Sequence, residues 1–236
     1  MARDHILLID TSEQACTLAL FKENQVVAHI SEVQPRKHGD LLLPTCQSLF
    51  EQVSIDSTRI QAIAVTTGPG AFTGIRIGVA MVQGLAYGWG VPCISMNTLD
   101  LWAATALKVN PSADFFLAAM DARMGEIYTR LYKKDSTAKR VEPITDSLCV
   151  SAENLASHFE HHTSFSGSIL GLVGSGIKPY MEQLEAVIAN KQGKSLALDL
   201  ELSLQAYGEL ATERFNQGQT VSALELDALY LRPAVI

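Results

Sequence analysis

Basic residues are scarce: 18 Lys and Arg stand against 25 Asp and Glu, leaving a net charge of −7. Affinity for nucleic acid comes largely from cationic side chains that neutralise phosphates, so this chain is not expected to grip a polyanion unaided. Any RNA it serves would be met through a partner's positive field. Cysteine is sparse too. Cys16, Cys46, Cys93 and Cys149 are far apart and form no CxxC pair, which excludes a disulfide framework or a zinc knuckle and predicts reduced thiols packed as small hydrophobes. No apolar run is long enough to cross a bilayer. The opening "MARDHILLIDTS" carries charge where a signal peptide would be apolar, so a cytoplasmic protein with no membrane contact is expected. There is no tandem repeat or low-complexity tract. What remains is an ordinary globular composition, 47% apolar and 18% charged, over 236 residues, enough for two lobes.

The order of elements points to an α/β fold. "HILLIDTSEQACTLALFKENQVVAHISEV" reads as three strands of an antiparallel meander, with turns at Ser12-Glu13-Gln14 and Lys22-Glu23-Asn24-Gln25. "GDLLLPTCQSLFEQV" has helical spacing, with Pro44 confined to the first turn or causing a kink. "IQAIAVTTGPG" is a wholly apolar strand ending in a glycine corner, and a helix from Thr73 to about Trp89 follows. "VPCISMN" is a further buried strand leading into the helix "TLDLWAATAL", and Pro111 closes a first lobe of residues 1–110. The second lobe, 111–236, opens with two strands joined through Asp121 to Gly125. A surface hairpin, a short helix capped by Ser151, the buried strand "ILGLVGSGI" and two helices complete it. Gly218 stops the last helix, which is expected to pack back on the first lobe.

The glycine corner has two readings. Gly68 and Gly70 permit backbone angles that side chains forbid, and Thr73 is placed to cap the helix, so the helix N-terminus offers a phosphate seat. Gly74, Gly78, Gly84 and Gly88 fall near one helical stripe, which instead suits another helix packed tightly against this one. The stretch matches neither GxxxxGK[ST] nor GxGxxG, and close packing is preferred. Gly174-Ser175-Gly176 reads as an ordinary turn at a strand end. His158, His161 and His162 fit neither HExxH nor HxxEH, and suit a helix C-terminus without a metal. Arg36 and His38 precede the first helix. Asp121, Arg123 and Glu126 form either an acid–base cluster or an ion pair fixing a hairpin, to be tested by docking. No nucleophile constellation is present.

"LLIDTSEQACTLALF" (7–21), "QPRKHGDLLLP" (34–44), "GPGAFTGIRIGVAMVQGLA" (68–86), "VPCISMNTL" (91–99), "MDARMGEIYTRLY" (120–132) and "ALYLRP" (228–233) together resemble the bacterial TsaB (YeaZ) family. That resemblance implies a two-lobed actin-like ATPase (ribonuclease H-like) fold and a non-catalytic role in making threonylcarbamoyladenosine on tRNA. Its implied partners are the catalytic TsaD subunit, the ATPase TsaE, and a second copy of the chain when alone, with tRNA met only indirectly. The contact with TsaD would run along the first helix and the Thr73–Trp89 helix, through Arg36, His38, Leu42, Leu49, Phe72, Thr73, Ile75, Arg76, Val79 and Val82. Asp10, Thr11 and Ser12, with Gly68 and Gly70, would be a vestigial nucleotide or phosphate site. No cofactor is expected on the chain alone, although a nucleotide at the complex interface is compatible with the resemblance. The His-x-x-x-His metal pair of TsaD corresponds to Thr98 and Trp102, and neither replaces an imidazole. Thr67 stands where a basic residue often precedes Gly-Pro-Gly. The alternatives are an ATP-dependent small-molecule kinase of the same superfamily and, less favoured, a peptidase.

Overall fold

The apolar start "HILLID" forms β1 (His5–Asp10), buried along its whole length in the computed structural model. Residues 2–33, 38–135, 137, 140–159, 167–189 and 193–232 are described, with only the backbone for 38, 41, 188 and 189. β2 (Ala15–Lys22) and β3 (Gln25–Val33) return antiparallel, Leu8 opposite Ala19 and Leu18 opposite Ile30. Glu23 and Asn24, at φ 49° and 63°, supply the left-handed pair that a two-residue hairpin needs. β4 (Ile60–Gly68) and β5 (Cys93–Asn97) extend the sheet in parallel, giving the order β3-β2-β1-β4-β5. β4 is almost entirely apolar and buried because helices cover a parallel strand on both faces.

α1 (His38–Gln52) and α2 (Phe72–Trp89) make the crossovers of this sheet. Pro44 lies within α1 beyond its first turn, exposed, and the helix runs on through it. α2 begins at Phe72, and its N-cap is Ala71 with no side-chain bond. The expectation that Thr73 caps this helix is therefore corrected: Thr73 already lies within it. The core beneath contains Leu7, Ile9, Leu18, Leu42, Leu49, Ile63, Val65, Ile75, Val79 and Val82.

A second sheet repeats the plan. β6 (Phe115–Arg123) and β7 (Glu126–Asp135) form a hairpin, and β8 (Arg140–Pro143) and β9 (Leu148–Ser151) both pair with β7. β10 (Ile169–Val173) and β11 (Lys194–Leu198) join in parallel, for the order β11-β10-β6-β7-β8. α4 (Leu155–Phe159) and α5 (Met181–Ala189) precede the two parallel strands. Ser151 sits at the start of the short 3-10 turn before α4 but makes no side-chain cap bond, correcting that expectation.

Three antiparallel strands followed by two parallel ones, built twice, are the α/β architecture of the actin-like ATPase fold. Residues 1–98 with 203–229 form one compact unit, and residues 99–202 with 230–236 form the other. α3 (Thr98–Val109) thus belongs to the second unit from Leu99 onward, and α6 (Leu204–Asn216) to the first. Ser203 caps α6 by accepting the Ala206 N–H, and Gly218 follows its end at φ 69°. α6 packs on β1, β3 and β5. Its Gly208 approaches so closely that a Cβ there would stand 2.6 Å from the Phe21 ring.

Candidate functional site

The ends of β1 and β4 bring the sequence-selected residues of the first unit together. Asp10 is 6% exposed, and its carboxylate is already fully engaged. The Ser12 N–H donates to Oδ1 at 2.8 Å and the Thr66 hydroxyl to the same oxygen at 2.6 Å, while the Tyr207 hydroxyl of α6 donates to Oδ2. Three donors thus meet this one buried carboxylate, whose two oxygens are both hydrogen-bonded. Burial, reinforced by the negative charge of Asp10, pushes the Tyr207 phenol well above its usual range, so it stays a proton donor.

The glycine corner holds the turn that Asp10 organises. Ser12 carbonyl accepts the Ala71 N–H at 2.7 Å, at the positive end of α2, and the Thr11 hydroxyl donates to Gly74 carbonyl at 2.8 Å. A Cβ on Gly70 or Gly74 would lie 2.4 or 2.1 Å from the backbone oxygens of Ser12 and Thr11, and one on Gly78 would lie 2.4 Å from Thr11 Oγ1. These glycines therefore receive the chain's own β1–β2 turn, whereas Gly84 and Gly88 face open space. Gly68, at φ 118°, lets Leu229 close in, its N–H bonded to Thr67 carbonyl at 2.8 Å. The Gly68–Pro69 peptide is cis. The Asp10 carboxylate and the N-cap N–H of Ala71 are thus bonded within the chain itself and are not offered to a phosphate in this arrangement. Ser12 Oγ is buried beneath them without a partner.

The residues that the resemblance assigned to a partner divide in two. Leu42, Leu49, Ile75, Val79 and Val82 are buried in the unit's own core, where they hold the helices in place. Phe72, Thr73 and Arg76 are exposed, with Phe72 57% exposed and the Arg76 guanidinium 3.7 Å above its ring. Arg36 and the side chain of His38 lie outside the described residues. The helical faces also expose Leu43 and Tyr87, which sequence reasoning did not select. Between α1 and the end of α2 lies a groove of about 620 Å³, lined in part by Leu43, Gln47, Phe50, Leu85 and Trp89.

In the second unit, Asp121 accepts the Arg123 N–H at 2.8 Å and pairs with its guanidinium at 3.2 Å, while Tyr180 hydroxyl donates to it at 3.2 Å. Glu126 pairs instead with Arg232 of the C-terminal segment. These contacts are those of a fixed hairpin. Its tip, Arg123-Met124-Gly125, is left-handed at all three residues, and Met124 is 89% exposed. A Cβ on Gly174 would stand 2.3 Å from Ala119 carbonyl, so that corner too is filled by backbone. Thr98 and Trp102 are both buried, and Trp102 belongs to the core of the second unit. His158 is in α4, and His161 and His162 lie outside the described residues. No group of three or more His, Cys, Asp or Glu placed to hold a metal occurs among the described residues. Burial pushes the Cys16, Cys46 and Cys93 thiols up to about 11. No helix among the described residues is long and apolar enough to cross a membrane.

The members of this Asp10 cluster that sequence reasoning missed are Thr66 and Tyr207. A tyrosine on the buried face of a helix needs a partner for its hydroxyl, and that is the signal "LQAYGEL" carried.

A family model described as TsaD, tRNA N6-adenosine threonylcarbamoyltransferase, matches residues 25–167. The chain is 33% identical to the tRNA threonylcarbamoyladenosine biosynthesis protein TsaB of Escherichia coli (strain K12), over 96% of this chain and 94% of that one. It is 31% identical to the protein of the same name from Haemophilus influenzae, over 98% and 94%. The solved structure of YeaZ from Pseudomonas aeruginosa matches with a TM-score of 0.80 at 28% identity, covering 97% of this chain and 100% of that one.

Proposed function

Because this chain belongs to the TsaB family of tRNA threonylcarbamoyladenosine biosynthesis proteins, we propose that it serves that pathway as a non-catalytic subunit that binds and activates the catalytic TsaD subunit. The observation that carries this reading is the closed strand-end site. The carboxylate that would face metal and phosphate in an ATP-using relative is bonded to Ser12, Thr66 and Tyr207, and the Ala71 N–H at the N-cap of α2 to Ser12 carbonyl. The exposed side of α2, with Phe72, Arg76 and Tyr87, supports its use as a docking face, since large apolar side chains left in solvent mark interaction surfaces.

In this reading TsaE joins the assembly in the cytoplasm, tRNA is held by the partners, and any nucleotide lies at the complex interface. The chain alone forms a homodimer through the same face. Titration calorimetry with TsaD tests it: the wild-type chain binds, and Arg76→Ala or Phe72→Ala weakens binding by roughly tenfold or more, as expected of an aromatic or arginine anchor. The homodimer is expected to dissociate as TsaD is added, and its persistence beside excess TsaD overturns the shared surface. ATP hydrolysis by the purified chain that disappears in Asp10→Ala would overturn the non-catalytic assignment in favour of a small-molecule kinase.

A further inference from the structure

The first turn of α2, where Phe72, Thr73 and Arg76 are exposed, is held from a distant element. We propose that Tyr207 on α6 is a positioning residue for that docking turn, acting through Asp10 and the Thr11–Ser12 turn. The inference rests on the reading of α2 as a docking helix.

Each contact in the relay is buried. Tyr207 is 2% exposed, and its hydroxyl serves Oδ2 of Asp10, whereas Ser12 N–H and Thr66 hydroxyl both serve Oδ1. Without the phenol hydroxyl, Oδ2 is a buried anionic acceptor with no donor, a deficit relieved only if Asp10 and the turn bonded to it move toward water. The turn cannot move alone. Thr11 and Ser12 fill the spaces left by Gly70, Gly74 and Gly78, and two hydrogen bonds join them to Ala71 and Gly74. A shift of the turn is therefore a shift of residues 70–78. α6 has anchors of its own, Arg214 on Ser95 carbonyl and Gly208 against Phe21, so it stays docked when the hydroxyl is removed.

Tyr207→Phe keeps the ring and deletes only the donor. Hydrogen exchange on the free full-length variant is expected to speed up roughly tenfold or more in peptides covering residues 69–79, the factor that follows from a donor lost to a buried charge. Peptides from β6 and β7 stay as in wild type, and affinity for TsaD falls by a similar factor. Ala211→Gly, which weakens α6 without touching Asp10, separates the relay from general loosening: it should lower the melting temperature and leave residues 69–79 protected. Unchanged exchange at 69–79 in Tyr207→Phe, or equal acceleration in Ala211→Gly, overturns the proposal. The exchange measurement needs no partner, so failure of the wild-type chain to bind TsaD counts against the docking reading alone.

Discussion

The two units tie the end of a central strand in the same way and bury the tie to different depths. Asp10 ends β1, accepts the N–H of the residue two ahead, and takes a tyrosine hydroxyl from a helix. Asp121, near the end of β6, likewise accepts the Arg123 N–H and the Tyr180 hydroxyl, the latter from the turn just before α5. In the first unit the third partner is Thr66, itself buried. In the second it is the Arg123 guanidinium, 80% exposed. A buried carboxylate must have every acceptor served, which specifies one position for the turn and the helix on it, whereas an exposed one has water as a substitute. The same arrangement thus forms a buried internal joint in one unit and an exposed hairpin tip in the other.

The largest effects should come from the glycines that let backbone meet backbone. Gly74→Ala places a Cβ 2.1 Å from Thr11 carbonyl, and Gly174→Ala places one 2.3 Å from Ala119 carbonyl at φ 113°. Each is expected to lose about 3 kcal/mol of stability or more in urea denaturation, from overpacking against atoms that cannot rotate aside. Gly84→Ala meets nothing and should stabilise by about 0.5–1 kcal/mol through helix propensity. Normal stability in Gly74→Ala would mean that the Thr11 turn is not seated on α2. The tyrosines come next. Tyr207→Phe should cost about 2 kcal/mol, because its acceptor is a buried anion. Tyr180→Phe, on a partly exposed aspartate, should cost under about 0.5 kcal/mol. Equal losses would erase the distinction between a buried and a solvated joint.

The depth of these ties explains what the sequence disclosed. The meander, the apolar parallel strands and the glycine corner are written in local residue order, as apolar runs broken by turn residues. β11 is not: "KSLAL" is mostly exposed, and its apolar stretch of three residues is too short to set it apart from loop. Helical periodicity finds an apolar face but does not say what covers it. Leu42, Leu49, Ile75, Val79 and Val82, which the resemblance places at a partner contact, pack into the unit's own core. The exposed side of α2 is marked instead by Phe72, Arg76 and Tyr87 among small residues. The bond from Tyr207 to Asp10 spans 197 positions, and no local pattern encodes a pairing that only tertiary folding creates.

The smallest expected difference lies where each central strand begins. Asp4 N–H donates to Arg59 carbonyl at 3.0 Å, and Asp114 N–H to Ile169 carbonyl at 2.9 Å, in equivalent places. Asp4 carboxylate meets Arg59 at 2.6 Å, Lys22 at 3.1 Å and His5 at 2.7 Å, whereas Asp114 accepts the Ile169 N–H at 3.0 Å. The Arg59 guanidinium above all, against the opposing effect of burial and with help from Lys22 and His5, holds the Asp4 carboxyl well below the usual carboxylate range. A folded pKa below the unfolded one gives stability that is complete above about pH 4 and is lost as pH falls through the folded value. Asp4→Asn should therefore cost under about 1 kcal/mol at neutral pH, the pair being partly solvated. That cost should shrink steadily below about pH 4, as wild type loses what the variant never had. Asp114→Asn retains an oxygen to accept the Ile169 N–H and should denature as wild type does at neutral pH. Denaturation curves at pH 7, 5 and 3 decide it: a gap between wild type and Asp4→Asn that stays constant down to pH 3 would show that Arg59 does not hold the first strand by charge.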